Sequence, residues 1–90
     1  MKKHYDLIIR GRVQGVGYRY HARARAFHLG IQGIIRNMDD GSVYIEAEGD
    51  PESLQTFIEW CKVGPPHAQV SHVDVATGPL KNYETFEIVR

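Results

Sequence analysis

The stretch Gln32-Gly33-Ile34-Ile35-Arg36-Asn37-Met38-Asp39-Asp40-Gly41-Ser42-Val43-Tyr44-Ile45-Glu46-Ala47-Glu48 decides how the rest of the chain is arranged. Residues 32–38 read as a strand. Asp39-Asp40-Gly41-Ser42 is a turn signal, with Asp40-Gly41 suited to positive backbone φ. Val43, Ile45 and Ala47 then alternate with Tyr44, Glu46 and Glu48, the pattern of a half-buried strand. Two strands joined by so short a turn form an antiparallel hairpin.

Upstream of the hairpin, Tyr5 to Arg12 alternates Tyr5, Leu7, Ile9 with Asp6, Ile8, Arg10. Apolar residues on both faces predict an interior strand. Gly11, Gly15 and Gly17 fall within the next residues and mark a loop with unusual backbone angles. Tyr18, Ala22, Ala26 and Leu29 then recur on one face of a helix, and Gly30 is placed to end it. Downstream, Asp50 is an N-cap with Pro51 at the first helical position. Leu54, Phe57, Ile58 and Cys61 form the apolar stripe of that second helix, which Gly64-Pro65-Pro66 ends. Val70, Val73 and Val75 predict a fourth strand, Gly78-Pro79 a turn, and Phe86 to Val89 a short terminal strand. The order β-α-β-β-α-β, with a strand added at the C-terminal end, predicts an α+β, ferredoxin-like two-layer sandwich. In it an antiparallel sheet is covered by two helices on one face.

Ninety residues fit a single domain, 1–90. Eleven basic residues balance eleven acidic ones, which removes the usual electrostatic footprint of a nucleic-acid binder or a membrane-surface protein while leaving room for a local basic patch. Cys61 stands alone, so no intrachain disulfide forms and a cysteine-based zinc site lacks its ligands. The apolar stretch after Met1-Lys2-Lys3-His4-Tyr5-Asp6 is broken by Arg10, too short and interrupted for a signal segment or membrane span. A cytoplasmic location is the expectation.

Gly11-Arg12-Val13-Gln14-Gly15-Val16-Gly17-Tyr18-Arg19 runs from the first strand into the first helix. Glycines let successive N–H groups point inward as an anion-binding nest, and the helix start adds free N–H groups and the positive dipole end. Arg19 offers a planar fork that matches two phosphate oxygens. A cation at a helix N-terminus opposes the macrodipole by about 0.3–1 kcal/mol, a penalty that a bound dianion reverses. The segment lacks the Gly-Lys-Ser/Thr of the nucleoside-triphosphate loop, and Tyr20 occupies the third glycine of the dinucleotide pattern. Spacing alone leaves two readings: a phosphate cradle, or a tight strand-to-helix turn whose glycines serve geometry and whose Arg19 is solvated. Asn37, at the end of the second strand, is similarly double. It either starts the turn by bonding its own backbone, or its amide orients a water without ionising.

These residues resemble the acylphosphatase family. The resemblance rests on Gly11 to Arg19, on Leu29-Gly30-Ile31-Gln32-Gly33, and on Arg36-Asn37 with Asp40-Gly41-Ser42-Val43, in that order and spacing. Gly49 and Gly64-Pro65-Pro66-His67-Ala68 add to it, and it covers nearly the whole chain. Tyr18 stands where the family often has Phe, Ile34-Ile35 where an aromatic is frequent, and Met38 where a small hydroxyl residue is common. The resemblance implies hydrolysis of the carboxyl-phosphate bond of an acyl phosphate to a carboxylate and inorganic phosphate. It implies no metal and no cofactor. Arg19 would bind phosphate together with the backbone N–H groups of Gln14, Gly15, Val16, Gly17 and Tyr18, and Asn37 would position the water. The expected partners are a small acyl phosphate and inorganic phosphate, with no nucleic acid and no membrane, and the expected state is a monomer.

Two other functions share this pattern. A non-catalytic phosphate- or anion-binding regulatory module would use the same cradle. An RNA-binding domain shares the element order but needs exposed aromatics on central strands in a basic surround, and Tyr5 and Tyr44 match that thinly. His21 and His28 lack a third clustered ligand and read as surface residues; His67 and His72 carry no motif. Cys61 and Trp60 read as packing residues, and Glu46 and Glu48 as a solvated strand face.

Overall fold

In the computed structural model, which describes residues 1–90, the chain forms β1 (Lys3–Arg12), α1 (Tyr18–Leu29), β2 (Gln32–Asn37), β3 (Val43–Gly49), α2 (Pro51–Val63), β4 (Gln69–Gly78) and β5 (Phe86–Ile88). The strands make one sheet in the order β4-β1-β3-β2-β5. β1 is interior, as its two apolar faces predict, with antiparallel partners β3 and β4 on either side. The hairpin pairs Asn37 with Val43 and Ile35 with Ile45.

The four longer strands give the expected antiparallel arrangement. β5 instead lies parallel to β2, so the complete sheet is mixed. The chain leaves β4 at one edge and crosses to the other before entering β5, so no tight turn forces those neighbours to run in opposite directions. Pairing persists one residue past β5, where the Val89 N–H donates to the Ile35 carbonyl at 2.9 Å.

Leu7 and Ile9 of β1, Ile35 of β2, and Val43, Ile45 and Ala47 of β3 are buried beneath the helices. Tyr18, Ala22 and Ala26 of α1 and Leu54, Phe57, Ile58 and Cys61 of α2 meet them. Burying each of the large side chains stabilises the fold by about 1.5–3 kcal/mol. The small Ala22 and Ala26 let α1 approach the sheet closely. Gly30 ends α1 with φ 70°, its N–H donating to the carbonyls of Ala26 and Phe27. At α2 Asp50 occupies the N-cap position, yet the cap bond comes from its backbone. The Asp50 carbonyl accepts from the Leu54 N–H at 2.9 Å, and its side chain bonds nothing there.

The other face of the sheet differs from its sequence reading. Glu46 and Glu48 are not solvated but 5% and 1% exposed. The connection 79–85 passes over them: the Lys81 and Tyr83 N–H groups donate to Glu48 at 2.6 and 3.1 Å, and the Tyr83 hydroxyl donates to Glu46 at 2.8 Å. Lys81 pairs with Glu46 at 2.8 Å, and the Tyr44 hydroxyl donates to Glu46 at 2.8 Å. His4, also buried, sits between carboxylates, with Nδ1 2.6 Å from Glu48 and Nε2 2.8 Å from Asp6. An alternating strand says which face a residue occupies, but not whether distant chain will cover that face.

Both ring nitrogens of His4 face carboxylates, so both donate only in the imidazolium form. Burial alone pushes its pKa down; the hydrogen bonds to Glu48 and Asp6, with their charges, outweigh this and hold it above its ordinary value. Burial pushes Glu46 up, but Lys81, Tyr83 and Tyr44 bring it below the usual range. Glu48 is likewise lowered against burial by the Lys81 N–H, His4 and the Tyr83 N–H. A raised histidine stabilises fully below its unfolded pKa and is lost as pH rises through the folded value. Lowered carboxylates stabilise above their unfolded pKa and are lost as pH falls through theirs. The cluster therefore contributes most between about pH 4.5 and 6.5. His4→Gln should cost about 2 kcal/mol in that window, with the gap to wild type shrinking as pH rises further. Urea unfolding at stepped pH measures it; a gap that stays constant to pH 9 would contradict this account.

Candidate functional site

The chain leaving β1 turns through Gly15 (φ 74°) and Gly17 (φ 78°), a left-handed region that other residues enter only with strain. A Cβ on Gly15 would meet nothing within 4 Å, so the backbone angle, not crowding, calls for glycine there. The consequence is electrostatic. Main-chain N–H groups from Gln14 through Tyr18 donate to no acceptor in the protein. Gly17 is the N-cap of α1 with no side-chain cap bond, and no acidic residue lies in the first turn. Uncapped donors with the dipole's positive end form a ready anion site.

Arg19 lies in that first turn, half-buried. Four other arginines of the fold are engaged. Arg10 pairs with Asp74 and Asp40, Arg23 donates to the Phe86 carbonyl, and Arg25 and Arg36 lie over the rings of Trp60 and Tyr44. Arg19 has no such partner, so its fork stays available. The expected contribution of Tyr18 is confined to its main chain. Its ring is 1% exposed, and its hydroxyl donates to the Cys61 carbonyl at 2.7 Å, tying the start of α1 to the end of α2. Burial raises the Tyr18 phenol pKa and pushes the Cys61 thiol up to about 12, so neither supplies an ionised group near neutrality.

Asn37 ends β2 on the flank of the loop nearest β3 and β2. Its side-chain Oδ1 is buried without a hydrogen-bond partner, a state that costs about 1–3 kcal/mol when nothing compensates it. The turn that follows is closed by other groups. Asp40 accepts from the Ser42 N–H at 3.0 Å and the Ser42 hydroxyl at 2.6 Å, and the Met38 N–H donates to the Ser42 carbonyl at 2.8 Å. The innocent role open to Asn37 in the sequence is thus filled by Asp40. Gln14 joins the two halves. Its side-chain amide donates to the Met38 carbonyl at 2.7 Å and to the Ser42 carbonyl at 2.9 Å, binding the loop to the turn beside Asn37. That bracing role of the side chain is absent from the sequence reading, because nothing local indicates what a loop glutamine will reach across the fold.

His21 is engaged with the loop as well, its Nδ1 2.8 Å from the Gly17 carbonyl, while His28 lies edge-on to Phe27. The pair does not converge. Tyr5 packs against the core and Tyr44 bonds Glu46, so neither offers a free ring on an open sheet face for a stacked base. His4, Asp6 and Glu46 are close enough to share a cation, yet each is already bound within its own network. A cleft of about 410 Å³ between the C-terminal half of α1 and β5 touches none of the loop residues. No helix is long and apolar enough to cross a membrane.

A family model described as Acylphosphatase matches residues 5–88. An acylphosphatase of Acaryochloris marina is 51% identical over 83 residues, covering 92% of this chain and 89% of that protein. The crystal structure of acylphosphatase from Bacillus subtilis superposes with TM-score 0.95 at 40% identity, each chain covered fully. An acylphosphatase structure from Coxiella burnetii gives TM-score 0.95 at 31% identity, covering 98% of this chain and 93% of that one.

Asn37→Ala should leave the midpoint of thermal unfolding unchanged or slightly raised, since it removes an unpaired acceptor and no turn bond. Asp40→Ala should cost about 1 kcal/mol. Tyr18→Phe should cost about 1–2 kcal/mol by orphaning the Cys61 carbonyl. Chemical denaturation of the three variants checks this ordering; an Asn37→Ala chain less stable than Asp40→Ala would restore Asn37 as the turn-former.

Proposed function

Because this chain belongs to the acylphosphatase family, we propose that it hydrolyses the carboxyl-phosphate bond of acyl phosphates, with Arg19 and the main chain of residues 14–18 binding the phosphoryl group and Asn37 orienting the attacking water. The observation that carries the reading is the run of free N–H groups from Gln14 to Tyr18 beside an unpaired Arg19. Together they surround a tetrahedral anion with donors held in place before it arrives.

An acyl phosphate is a mixed anhydride whose carboxylate is already a good leaving group. The reaction needs placement and charge stabilisation more than acid catalysis. The water oxygen forms a bond to phosphorus, the bond from phosphorus to the acyl oxygen breaks, and its electron pair leaves with the carboxylate. Water's proton passes to a phosphoryl oxygen of the substrate. Asn37 Oδ1 accepts from the water and aims its lone pair at phosphorus, which accounts for a buried acceptor without a protein partner. The cradle and the Arg19 fork meet the equatorial oxygens as charge spreads over them. Gln14 holds the two halves in register through Met38 and Ser42. In this reading the protein acts as a cytoplasmic monomer, with an acyl phosphate and inorganic phosphate as its small-molecule partners and no cofactor.

The test is release of phosphate from benzoyl phosphate. Arg19→Lys should lose about 10²-fold or more in kcat/KM, because a point charge does not reproduce the fork. Asn37→Ala should lower kcat about 10²-fold while the inhibition constant of inorganic phosphate changes little. Chelator should leave the rate unchanged. Near-normal turnover by Arg19→Lys would overturn the assignment, and phosphate binding without hydrolysis would favour the regulatory module.

A further inference from the structure

A second cleft, of about 520 Å³, opens against the other side of the glycine loop. It is lined by Arg12, Gly15, Val16, His67 and Gln69 with their neighbours Pro66 and Ala68, and no carboxylate lines it. Gly15 and Val16 belong to the proposed cradle, so the cleft adjoins the phosphoryl site. Arg12, at the end of β1, has no hydrogen-bond or ion-pair partner, and its pairing with Gln69 places it at the mouth of β4. His67 is exposed and likewise unengaged. These basic side chains beside an anion cradle are left without counter-charge, although acidic residues equal basic ones in number over the chain.

The sheet order gives this cleft a direction. β1 runs into the loop, with β3 and β2 on one side and β4 on the other. Asn37 and the turn braced by Gln14 lie on the β2–β3 flank, whereas the cleft lies on the β4 flank. In a phosphoryl transfer the entering and departing oxygens lie roughly in line through phosphorus. Water held by Asn37 on one flank therefore sends the departing carboxylate toward the other, where the cleft stands. Resting on the acylphosphatase reading, we infer that the Arg12–His67 cleft receives the acyl group and favours acyl phosphates carrying a second anionic group at their far end. The guanidinium fork of Arg12 meets that anion, and His67 adds a hydrogen-bond donor opposite it. Both side chains are solvent-exposed, so the preference is modest and is screened by salt.

The test compares benzoyl phosphate with 4-carboxybenzoyl phosphate and 4-phosphonobenzoyl phosphate, which share one leaving-group skeleton and differ in the far anion. At low ionic strength kcat/KM should favour the anionic substrates about fivefold, chiefly through KM, with the larger of the two ratios identifying the better-matched anion. Arg12→Gln should bring both ratios to about one, Arg12→Lys should keep part of the preference, and 0.5 M salt should erase it. Wild-type hydrolysis of benzoyl phosphate without a preference for either anionic substrate would overturn the acyl subsite alone, as would a preference that survives in Arg12→Gln. Failure to hydrolyse any of the three would refute the acylphosphatase reading and this inference with it.

Discussion

The peptide groups from Gln14 to Tyr18 keep their N–H donors away from every acceptor in the protein, and the surrounding structure serves to hold them so. Left alone, such a segment relaxes to find internal partners, because unmet main-chain donors are costly once shielded from water. Left-handed glycines at 15 and 17 curl it outward. Anchors fix both ends: β1 enters between two hydrogen-bonded neighbours, and Tyr18 leaves into α1 with its ring buried and its hydroxyl on the Cys61 carbonyl. Gln14 adds the third restraint through Met38 and Ser42. A segment restrained this way would lose little conformational freedom on binding an anion.

The two faces of the sheet divide the labour. The helix-covered face carries the apolar core under the loop and α1. The other face carries a charged cluster roofed by the 79–85 connection, in which His4, Glu46 and Glu48 are buried but mutually satisfied. Six perturbed ionisable groups gather there, His4, Tyr44, Glu46, Glu48, Lys81 and Tyr83, whereas Tyr18 and Cys61, raised by burial, lie where the loop enters α1. Shifted pKa values in that cluster therefore accompany a structural fastening. The proposed reaction calls for fixed dipoles and one guanidinium, which the loop and Arg19 would supply without a titrating base.

Much of this was legible in the residue order. Period-two alternation from Val43 to Glu48, the Asp40-Gly41 turn and the Leu54, Phe57, Ile58, Cys61 stripe each follow from local geometry, and β3 and α2 lie where these patterns place them, whereas β1 begins two residues before Tyr5 and β4 runs three beyond Val75. The glycine loop and Arg19 were legible as a candidate site because their chemistry is also local. Asn37 was not separable from a turn-forming asparagine until Asp40 was found closing the turn and Asn37 Oδ1 was found unpartnered. Glu46 and Glu48 read as solvated, since alternation records a strand's own faces and not the segment that later passes over one of them.

The amino-acid sequence by itself determined the elements, their order and the glycine-led curl of residues 11–19, because backbone preference and amphipathic spacing act over a few neighbouring residues. Only the tertiary structure decided which donors stay free, which arginines are already engaged, that β5 runs parallel to β2, and that the cleft of Arg12 and His67 stands on the flank away from Asn37. Those properties depend on contacts between residues far apart in the chain, and such contacts exist only once the sheet has assembled.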